Sequence, residues 1–183
     1  MTLEEKLKHS IRDVPDFPKP GILFKDITPL LQDVRLSAEI TSSLADYWSK
    51  YPIDVVVGIE SRGFIWGNAL AQHMKVPFVP VRKKGKLPAD TFSYEYKLEY
   101  GTAEVEIHKD AIQSGQKVLI HDDLLATGGT AVAAAELIKK CNGSVVGFSF
   151  LVELMFLKGK EISMIKGGKI SDLTSYLFAE FST

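Results

Sequence analysis

The segment from Val118 to Thr130, which reads Val-Leu-Ile-His-Asp-Asp-Leu-Leu-Ala-Thr-Gly-Gly-Thr, constrains the fold of this chain more than any other. Its first three residues have the composition of a buried strand, and the paired glycines are typical of a turn. The Ala-rich stretch from Ala131 to Lys140 then has the composition of a helix. A glycine turn between a strand and a helix presents free backbone N–H groups and the positive end of the helix dipole. The segment therefore predicts a cradle for an anion.

The side chains of the same segment indicate which anion it suits. Asp122 and Asp123 can accept hydrogen bonds from sugar hydroxyls or help to hold Mg²⁺, and the two threonines can donate hydroxyl protons to a phosphate. Together these groups suggest a phosphorylated sugar. The patterns G-x-x-x-x-G-K-S/T and G-x-G-x-x-G are both absent, so neither of the commoner phosphate loops is present. An ordinary strand-to-helix connection is the alternative interpretation.

Three further apolar runs predict strands beside this one, at Ile53–Ile59, Val76–Val81 and Ser144–Leu154. Segments with helical periodicity lie between several of them, including 36–51, 64–75 and 130–140. Alternation of strands and helices predicts an α/β fold with a mostly parallel, twisted sheet flanked by helices. At 183 residues, the chain has the length of a single domain, 1–183.

Composition excludes several functional classes. The formal net charge is −1, which gives no general attraction for nucleic acid, and no apolar run is long enough to span a membrane. The start, Met1 to Lys6, is acidic and polar where a secretory signal would be basic and then apolar. The single cysteine, Cys141, cannot form an intramolecular disulfide. We therefore expect a cytoplasmic protein that binds neither membranes nor nucleic acid.

The N-terminal region predicts a short helix followed by a rigid loop. Thr2 and Glu5 have the spacing of a capping box, which predicts a helix from Leu3 to Ser10. Val14–Pro29 contains four prolines, which rule out a long helix or a central strand. A loop of this kind can bind the edge of a flat heterocycle through its main chain, or it can merely cover the core.

Charged residues follow two of the predicted strands. Glu60-Ser61-Arg62 comes directly after Ile59, where ligands bind in open α/β sheets, so Arg62 is placed to meet an anion. The basic cluster 82–86 follows Val81 and is either a solvated surface or the start of a lid that gathers phosphates. Alternating residues at 94–100 and 102–108 predict a hairpin around Gly101. Glu99, at its turn, reads by itself as a surface carboxylate.

At Asp122–Thr130 the sequence resembles the phosphoribosyl pyrophosphate signature of the type I phosphoribosyltransferase family. Within that family it is similar to the members that use adenine. The resemblance extends in chain order over most of the sequence, through the blocks at 17–29, 58–64, 82–88, 98–101 and 151–154. It implies the fold of that family, with a small hood at about residues 1–35 and a flexible hairpin lid at about 82–108.

The resemblance also implies a reaction and a set of roles. The 5-phosphoribosyl group of phosphoribosyl pyrophosphate would be transferred to adenine, giving AMP and pyrophosphate, with Mg²⁺ held mainly by the substrate near Asp122 and Asp123. A homodimer is implied as well. A cis peptide bond is often found between Glu60 and Ser61 in this family. The implied contacts are as follows: the 5'-phosphate on Ala126, Thr127, Gly128, Gly129 and Thr130; ribose on Asp122 and Asp123; pyrophosphate on Glu60, Ser61, Arg62, Arg82, Lys83 and Lys86; adenine on Leu23, Phe24 and Lys25; catalysis by Glu99 and Tyr100.

Two positions depart from the family pattern. Lys25 stands where many relatives have arginine, and His121 replaces an apolar residue before the acidic pair. We expect His121 to be a tolerated core or surface histidine. Two rival functions remain: a transferase of the same fold for hypoxanthine, guanine or xanthine, and a regulator that senses nucleotides.

Overall fold

The computed structural model describes residues 1–97, 101–159, 164–165, 168–169 and 174–182, and the structural statements below concern those residues. The helices are α1 (Leu3–Ser10), α2 (Thr28–Gln32), α3 (Val34–Trp48), α4 (Gly63–Met74) and α5 (Gly129–Lys140). The strands are β1 (Arg12–Pro15), β2 (Leu23–Asp26), β3 (Val55–Ile59), β4 (Phe78–Lys83), β5 (Thr91–Lys97), β6 (Thr102–His108), β7 (Lys117–Leu125), β8 (Ser144–Leu154), β9 (Met164–Ile165), β10 (Gly168–Lys169) and β11 (Thr174–Phe181).

A seven-stranded sheet forms the centre of the molecule, in the order β11-β8-β7-β3-β4-β6-β5. The pairs from β11 to β4 are all parallel, whereas β6 pairs antiparallel with both β4 and β5. The predicted α/β fold with a mostly parallel sheet is confirmed. The predicted hairpin is therefore the antiparallel end of the main sheet. The C-terminal segment adds the edge strand β11.

Helices cover both faces of this sheet, as the β-branched strands require. On β3, Val55 and Val57 pack into the core cluster that contains α5, while Val56 between them packs into the cluster that contains α3 and α4. All five residues of β3 are buried. A strand that is buried on both faces cannot alternate with polar residues, which explains the continuous apolar run in the sequence.

The N-terminal region confirms the capping box and corrects the predicted loop. The Thr2 hydroxyl accepts from the Glu5 N–H at 3.2 Å, and the Glu5 carboxylate accepts from the Thr2 N–H at 2.8 Å. The stretch predicted as a loop instead forms an antiparallel hairpin of β1 and β2, followed by α2. Its prolines are compatible with this because Pro15 ends β1 and Pro29 lies in the first turn of α2, where no backbone N–H is needed.

Several predicted boundaries in the central part of the chain were wrong: β3 begins at Val55 rather than Ile53, and β4 spans Phe78–Lys83 rather than Val76–Val81. The strand expected to end at Ile120 continues through the acidic pair to Leu125, because parallel pairing with β8 persists at Asp122–Phe150 and Leu124–Val152. Strand β5 begins at Thr91 rather than at 94. No helix in the described residues is long and apolar enough to cross a membrane. The division into one domain, a hood and a lid stays a prediction.

Candidate active site

A cleft of about 440 Å³ opens beyond the carboxyl ends of β3 and β7. It contains the residues that the sequence predicts for a phosphorylated sugar and also part of the predicted leaving-group site. Ligands bind at this edge in open α/β sheets because loops from adjacent parallel strands meet there. The lining residues are Glu60, Ser61, Arg62, Lys83, Tyr96, Val105, Asp122, Asp123, Leu124, Leu125, Ala126, Thr127, Gly128, Gly129, Thr130, Ala131 and Phe150.

The turn between β7 and α5 has the backbone geometry of an anion site. Gly128 occupies the N-cap position of α5 with φ of 79°, in the left-handed region that glycine adopts without a steric penalty. No side chain caps this helix within the described part of the chain. The first N–H groups of α5 therefore face the cleft without a capping acceptor, which is the arrangement that binds phosphate at helix N-termini.

The acidic pair lies at the last part of β7. Asp123 is buried, and its backbone N–H donates to Oδ1 of Asp122 at 2.9 Å. Burial and the adjacent Asp123 carboxylate raise the pKa of Asp122 well above its ordinary value. Gly63, the first residue of α4, approaches this pair closely: a Cβ there would lie 2.9 Å from Oδ1 of Asp122. Glycine at the start of α4 thus allows the two elements to meet at the cleft.

The loop after β3 reaches the acidic pair through Arg62. Nε of Arg62 lies 2.6 Å from Oδ2 of Asp123, and the Arg62 guanidinium is centred 5.6 Å from the ring of Phe24. The peptide bond between Glu60 and Ser61 is cis, as the resemblance implies. The predicted leaving-group residue Arg62 therefore contacts both a predicted ribose residue and a predicted adenine residue.

Glu60 is held by the basic segment that follows β4. Arg82 binds both carboxylate oxygens of Glu60, at 3.2 and 3.3 Å, and the Lys83 N–H donates to Glu60 at 2.9 Å. Burial opposes ionisation of Glu60, but these hydrogen bonds outweigh it and lower the pKa of its carboxyl group. Arg82 also donates to the carbonyl of Lys86 at 3.0 Å. Of the three predicted basic residues, Lys83 lines the cleft, whereas Arg82 and Lys86 are outside its lining.

The predicted adenine residues lie in β2, outside the lining of the cleft. Leu23 is 39% exposed and Phe24 is half-buried. Lys25 is buried: its ammonium group lies 2.7 Å from Oδ1 of Asp13 and 4.3 Å from the centre of the Phe181 ring. Lys25 thus joins the N-terminal hairpin to β11, and Phe24 joins the hairpin to Arg62.

His121 is a fully buried core residue, one of the two locations expected for it. Its Nδ1 lies 3.0 Å from the Ser149 hydroxyl on β8, and its Nε2 has no hydrogen-bond partner among the described residues. Burial lowers its pKa to about 3, so the imidazole is neutral at ordinary pH.

Two residues with contacts at or beside the cleft were not predicted from the sequence. Tyr96 lines the cleft and contacts the start of α5. Glu106 is buried on β6, opposite Arg82, and accepts hydrogen bonds from the N–H groups of Lys86 and Leu87 at 2.9 Å each. Alternation in β6 puts Glu106 in phase with Thr102 and Glu104 on the polar face, so no sequence signal marked it as buried. The predicted catalytic residues Glu99 and Tyr100 lie outside the described residues.

Within the described ranges, no group of three or more His, Cys, Asp and Glu side chains is placed to share a metal ion. Asp122 and Asp123 are the adjacent carboxylates of the cleft, whereas Glu60 is bound by Arg82. Two adjacent carboxylates are too few for a protein-only Mg²⁺ site, but they suit an ion that takes its other ligands from phosphates and water.

Comparisons of the sequence place these features in a known family. Residues 25–169 match the family described as phosphoribosyl transferase domain. The adenine phosphoribosyltransferase of Halothermothrix orenii is 56% identical over 156 residues, which cover 85% of this chain and 92% of that protein.

Solved structures with the same fold include two adenine phosphoribosyltransferases. The enzyme from Thermoanaerobacter pseudethanolicus superposes with a TM-score of 0.91 at 47% identity, covering 98% of this chain and all (100%) of the other. The enzyme from Saccharomyces cerevisiae, solved in complex with adenine and an imino-altritol bisphosphate, gives 0.86 at 37% identity, covering 96% and 98% of the two chains.

Proposed function

The chain belongs to the phosphoribosyltransferase family, among its adenine phosphoribosyltransferases, and on that premise we propose how its cleft converts adenine and phosphoribosyl pyrophosphate to AMP and pyrophosphate. One observation carries the assignment of roles: a glycine turn at a helix start, an acidic pair and the loop of Arg62 line the same cleft. These groups match the phosphate, the sugar and the leaving group of one donor molecule.

The first N–H groups of α5 and the side chains of the turn bind the 5'-phosphate. The absence of a capping side chain at Gly128 in the described structure supports this role. The ligands are Ala126, Thr127, Gly128, Gly129 and Thr130. Asp122 and Asp123 accept hydrogen bonds from the ribose hydroxyls, because they lie near the end of β7, just before the turn, and line the cleft.

Arg62, Ser61 and Lys83 bind the pyrophosphate, with Lys86 reaching in from the loop. Glu60 and Arg82 support this pyrophosphate site indirectly, because they are hydrogen-bonded to each other. Glu60 fixes the position of the Arg82 side chain and of the Lys83 main chain. Breaking the bond between C1' and pyrophosphate develops positive charge on the sugar and negative charge on the leaving group. Cationic side chains therefore stabilise the departing oxygen, while the turn holds the ribose in position for attack.

Adenine binds against Leu23, Phe24 and Lys25, where main-chain groups of β2 contact its edge. The contact of Phe24 with Arg62 supports a base site next to the leaving-group site. Because the Lys25 side chain is directed to Asp13 and Phe181, its contribution to the base is made by the backbone. Glu99 acts as the general acid or base for adenine, and Tyr100 closes over the site.

We assign Mg²⁺ to this site, held mainly by the donor's phosphates, with Asp122 and Asp123 nearest to it. The donor set fits because both carboxylates line the cleft and offer oxygen ligands, with Oδ2 of Asp123 also paired to Nε of Arg62 at 2.6 Å. When bound, the ion neutralises charge on the pyrophosphate.

The decisive assay mixes purified protein, phosphoribosyl pyrophosphate and Mg²⁺ with a panel of purines and follows pyrophosphate release. Adenine is expected to be the substrate that turns over. Turnover with hypoxanthine, guanine or xanthine but not with adenine would assign the chain to the rival base specificity. Tight nucleotide binding without turnover of any purine would instead favour a regulator.

We also propose that the protein is a cytoplasmic homodimer. The family resemblance supports the dimer, and the buried free thiol of Cys141 fits a reducing compartment. Light scattering on the purified protein tests the dimer, and fractionation of the source cells tests the compartment.

A further inference from the structure

Tyr96 is the residue of the lid hairpin that reaches the start of α5. It lies near the end of β5, is half-buried and lines the cleft together with the phosphate turn. The hydroxyl of Thr130 donates to the Tyr96 hydroxyl at 3.2 Å. A side chain from the hairpin thus contacts the turn at the position where α5 begins.

The Tyr96 ring also explains why the second glycine of the turn is needed. A Cβ at Gly129 would lie 3.2 Å from Cδ2 of Tyr96 and 3.7 Å from its Cε2, which is tighter than ordinary contact for the nearer atom. The ring therefore packs directly over the first residue of α5. Because the ring is held there, the hydroxyl has a fixed place beside Thr130.

The hydrogen-bonding capacity of the two hydroxyls leaves one proton available. A phenol has one donor and can accept as well. In the observed arrangement, the Thr130 hydroxyl donates its proton to the Tyr96 oxygen. The Tyr96 hydroxyl proton has no hydrogen-bond acceptor within the described part of the protein. The Tyr96 side chain lines the cleft that the first N–H groups of α5 face.

We propose that the Tyr96 hydroxyl is a further ligand of the substrate's 5'-phosphate, donating its proton to a phosphate oxygen beside Thr130. The inference rests on the proposed function, which puts that phosphate on the Ala126–Thr130 turn. A hydrogen bond to a charged group is stronger than one between neutral groups. The hairpin therefore takes part in donor binding through Tyr96, three residues before Glu99 in the chain.

AMP and adenosine provide the test, because they differ only in the phosphate. Their affinities for the full-length protein are measured by titration calorimetry for the wild type, Tyr96→Phe and Tyr94→Phe. Loss of one hydrogen bond to a charged group predicts AMP binding about tenfold weaker in Tyr96→Phe, with adenosine binding unchanged. Tyr94 is the matched control: it lies on the same strand, under the Lys140 ammonium and away from the cleft lining, so Tyr94→Phe should bind both ligands normally.

A second variant separates direct contact from an effect exerted through Thr130. In a Thr130→Val background, adding Tyr96→Phe should weaken AMP binding further. No further loss, or an equal loss for AMP and adenosine in the single variant, would overturn the inference. The outcome is distinguishable from failure of the proposed function: a wild type that turns over adenine while Tyr96→Phe keeps full AMP affinity refutes the Tyr96 role alone.

Discussion

Nε of Arg62 lies 2.6 Å from Oδ2 of Asp123, so the group that we assign to the pyrophosphate of the donor is paired with one that we assign to its ribose. Asp123 is nearly buried, with a side chain that is 6% exposed, whereas that of Arg62 is 42% exposed. Arginine can therefore turn to an incoming phosphate more easily than the carboxylate can move. On the proposed roles, donor binding would exchange this ion pair for contacts with ribose and pyrophosphate.

Asp123→Asn should accordingly separate the two halves of the donor. Ribose 5-phosphate binding should weaken about tenfold through loss of charge-assisted hydrogen bonds, whereas pyrophosphate should bind at least as tightly as to the wild type because Arg62 is released. Calorimetric titration with each ligand measures both effects. Equal losses for ribose 5-phosphate and pyrophosphate would contradict this division. Arg62→Gln is the complementary variant and should weaken pyrophosphate selectively.

Asp122→Asn should stabilise the folded protein while weakening its binding of ribose 5-phosphate. Burial and Asp123 raise the pKa of Asp122 in the folded state. When the pKa of a carboxyl group is raised on folding, the free energy of unfolding falls as pH rises from the unfolded pKa through the folded pKa. The ionised form of Asp122 therefore destabilises the folded protein at high pH. The amide removes that charge and can still accept the Asp123 N–H.

We expect Asp122→Asn to have a higher Tm than the wild type at pH 8, because the unfavourable charge is removed. Its affinity for ribose 5-phosphate should fall in the same preparation. Thermal unfolding of Asp110→Asn, which removes the same charge at an exposed turn, is the control. A variant with unchanged or lower Tm would argue against the unfavourable ionisation of Asp122.

The outlines of this fold follow from local pattern, because a strand buried on both faces has to be a β-branched run and a phosphate turn has to combine small and polar residues. Strand β8 and helix α1 accordingly have the predicted bounds. No local sequence pattern predicted that β7 continues through Asp122 and Asp123. This continuation depends on pairing with β8, and pairing between distant segments overrides the turn-like composition.

The contacts that complete the site depend on register between distant segments. Lys25 is buried because Phe181 of the last strand lies beneath its ammonium group. Glu106 can organise the segment at Lys86 only because it stands opposite Arg82. Residues 25 and 181 are separated by most of the chain, so no spacing rule in the sequence could connect them.

His121 should make the protein sensitive to acid. Its pKa is lowered to about 3 by burial, below its ordinary value of 6.5. The unfolded chain therefore binds a proton between these values and the folded protein does not, so this group's contribution is fully present above pH 6.5 and is lost as pH falls toward 3. The slope for one such group is up to about 1.4 kcal/mol per pH unit.

Urea unfolding from pH 7 to pH 4 measures this slope. His121→Leu should lose less stability on acidification than the wild type, whatever its absolute stability after losing the Ser149 hydrogen bond. His73→Leu, at an exposed position on α4, should retain the wild-type slope. Parallel curves for the wild type and His121→Leu would show that His121 does not set the acid limit.

The ion pair between Lys25 and Asp13 should respond asymmetrically to removal of either partner, because the Lys25 side chain is 5% exposed and that of Asp13 is 54% exposed. Asp13→Asn leaves a buried ammonium group with a weaker partner, which costs about 1–3 kcal/mol of unfolding free energy. Lys25→Met leaves only a solvated carboxylate and keeps an unbranched side chain against Phe181, so its cost should be below about 1 kcal/mol.

Combining the two substitutions should recover most of the stability lost in Asp13→Asn, since no buried charge remains. Urea unfolding of both single variants and of the double variant measures this coupling. In Asp13→Asn the KM for adenine should rise more than the KM for phosphoribosyl pyrophosphate. The N-terminal hairpin of β1 and β2 carries Leu23 and Phe24 but contributes no residue to the cleft lining. Greater destabilisation by Lys25→Met than by Asp13→Asn would mean that the ammonium group contributes through packing on Phe181 rather than through its pairing with Asp13.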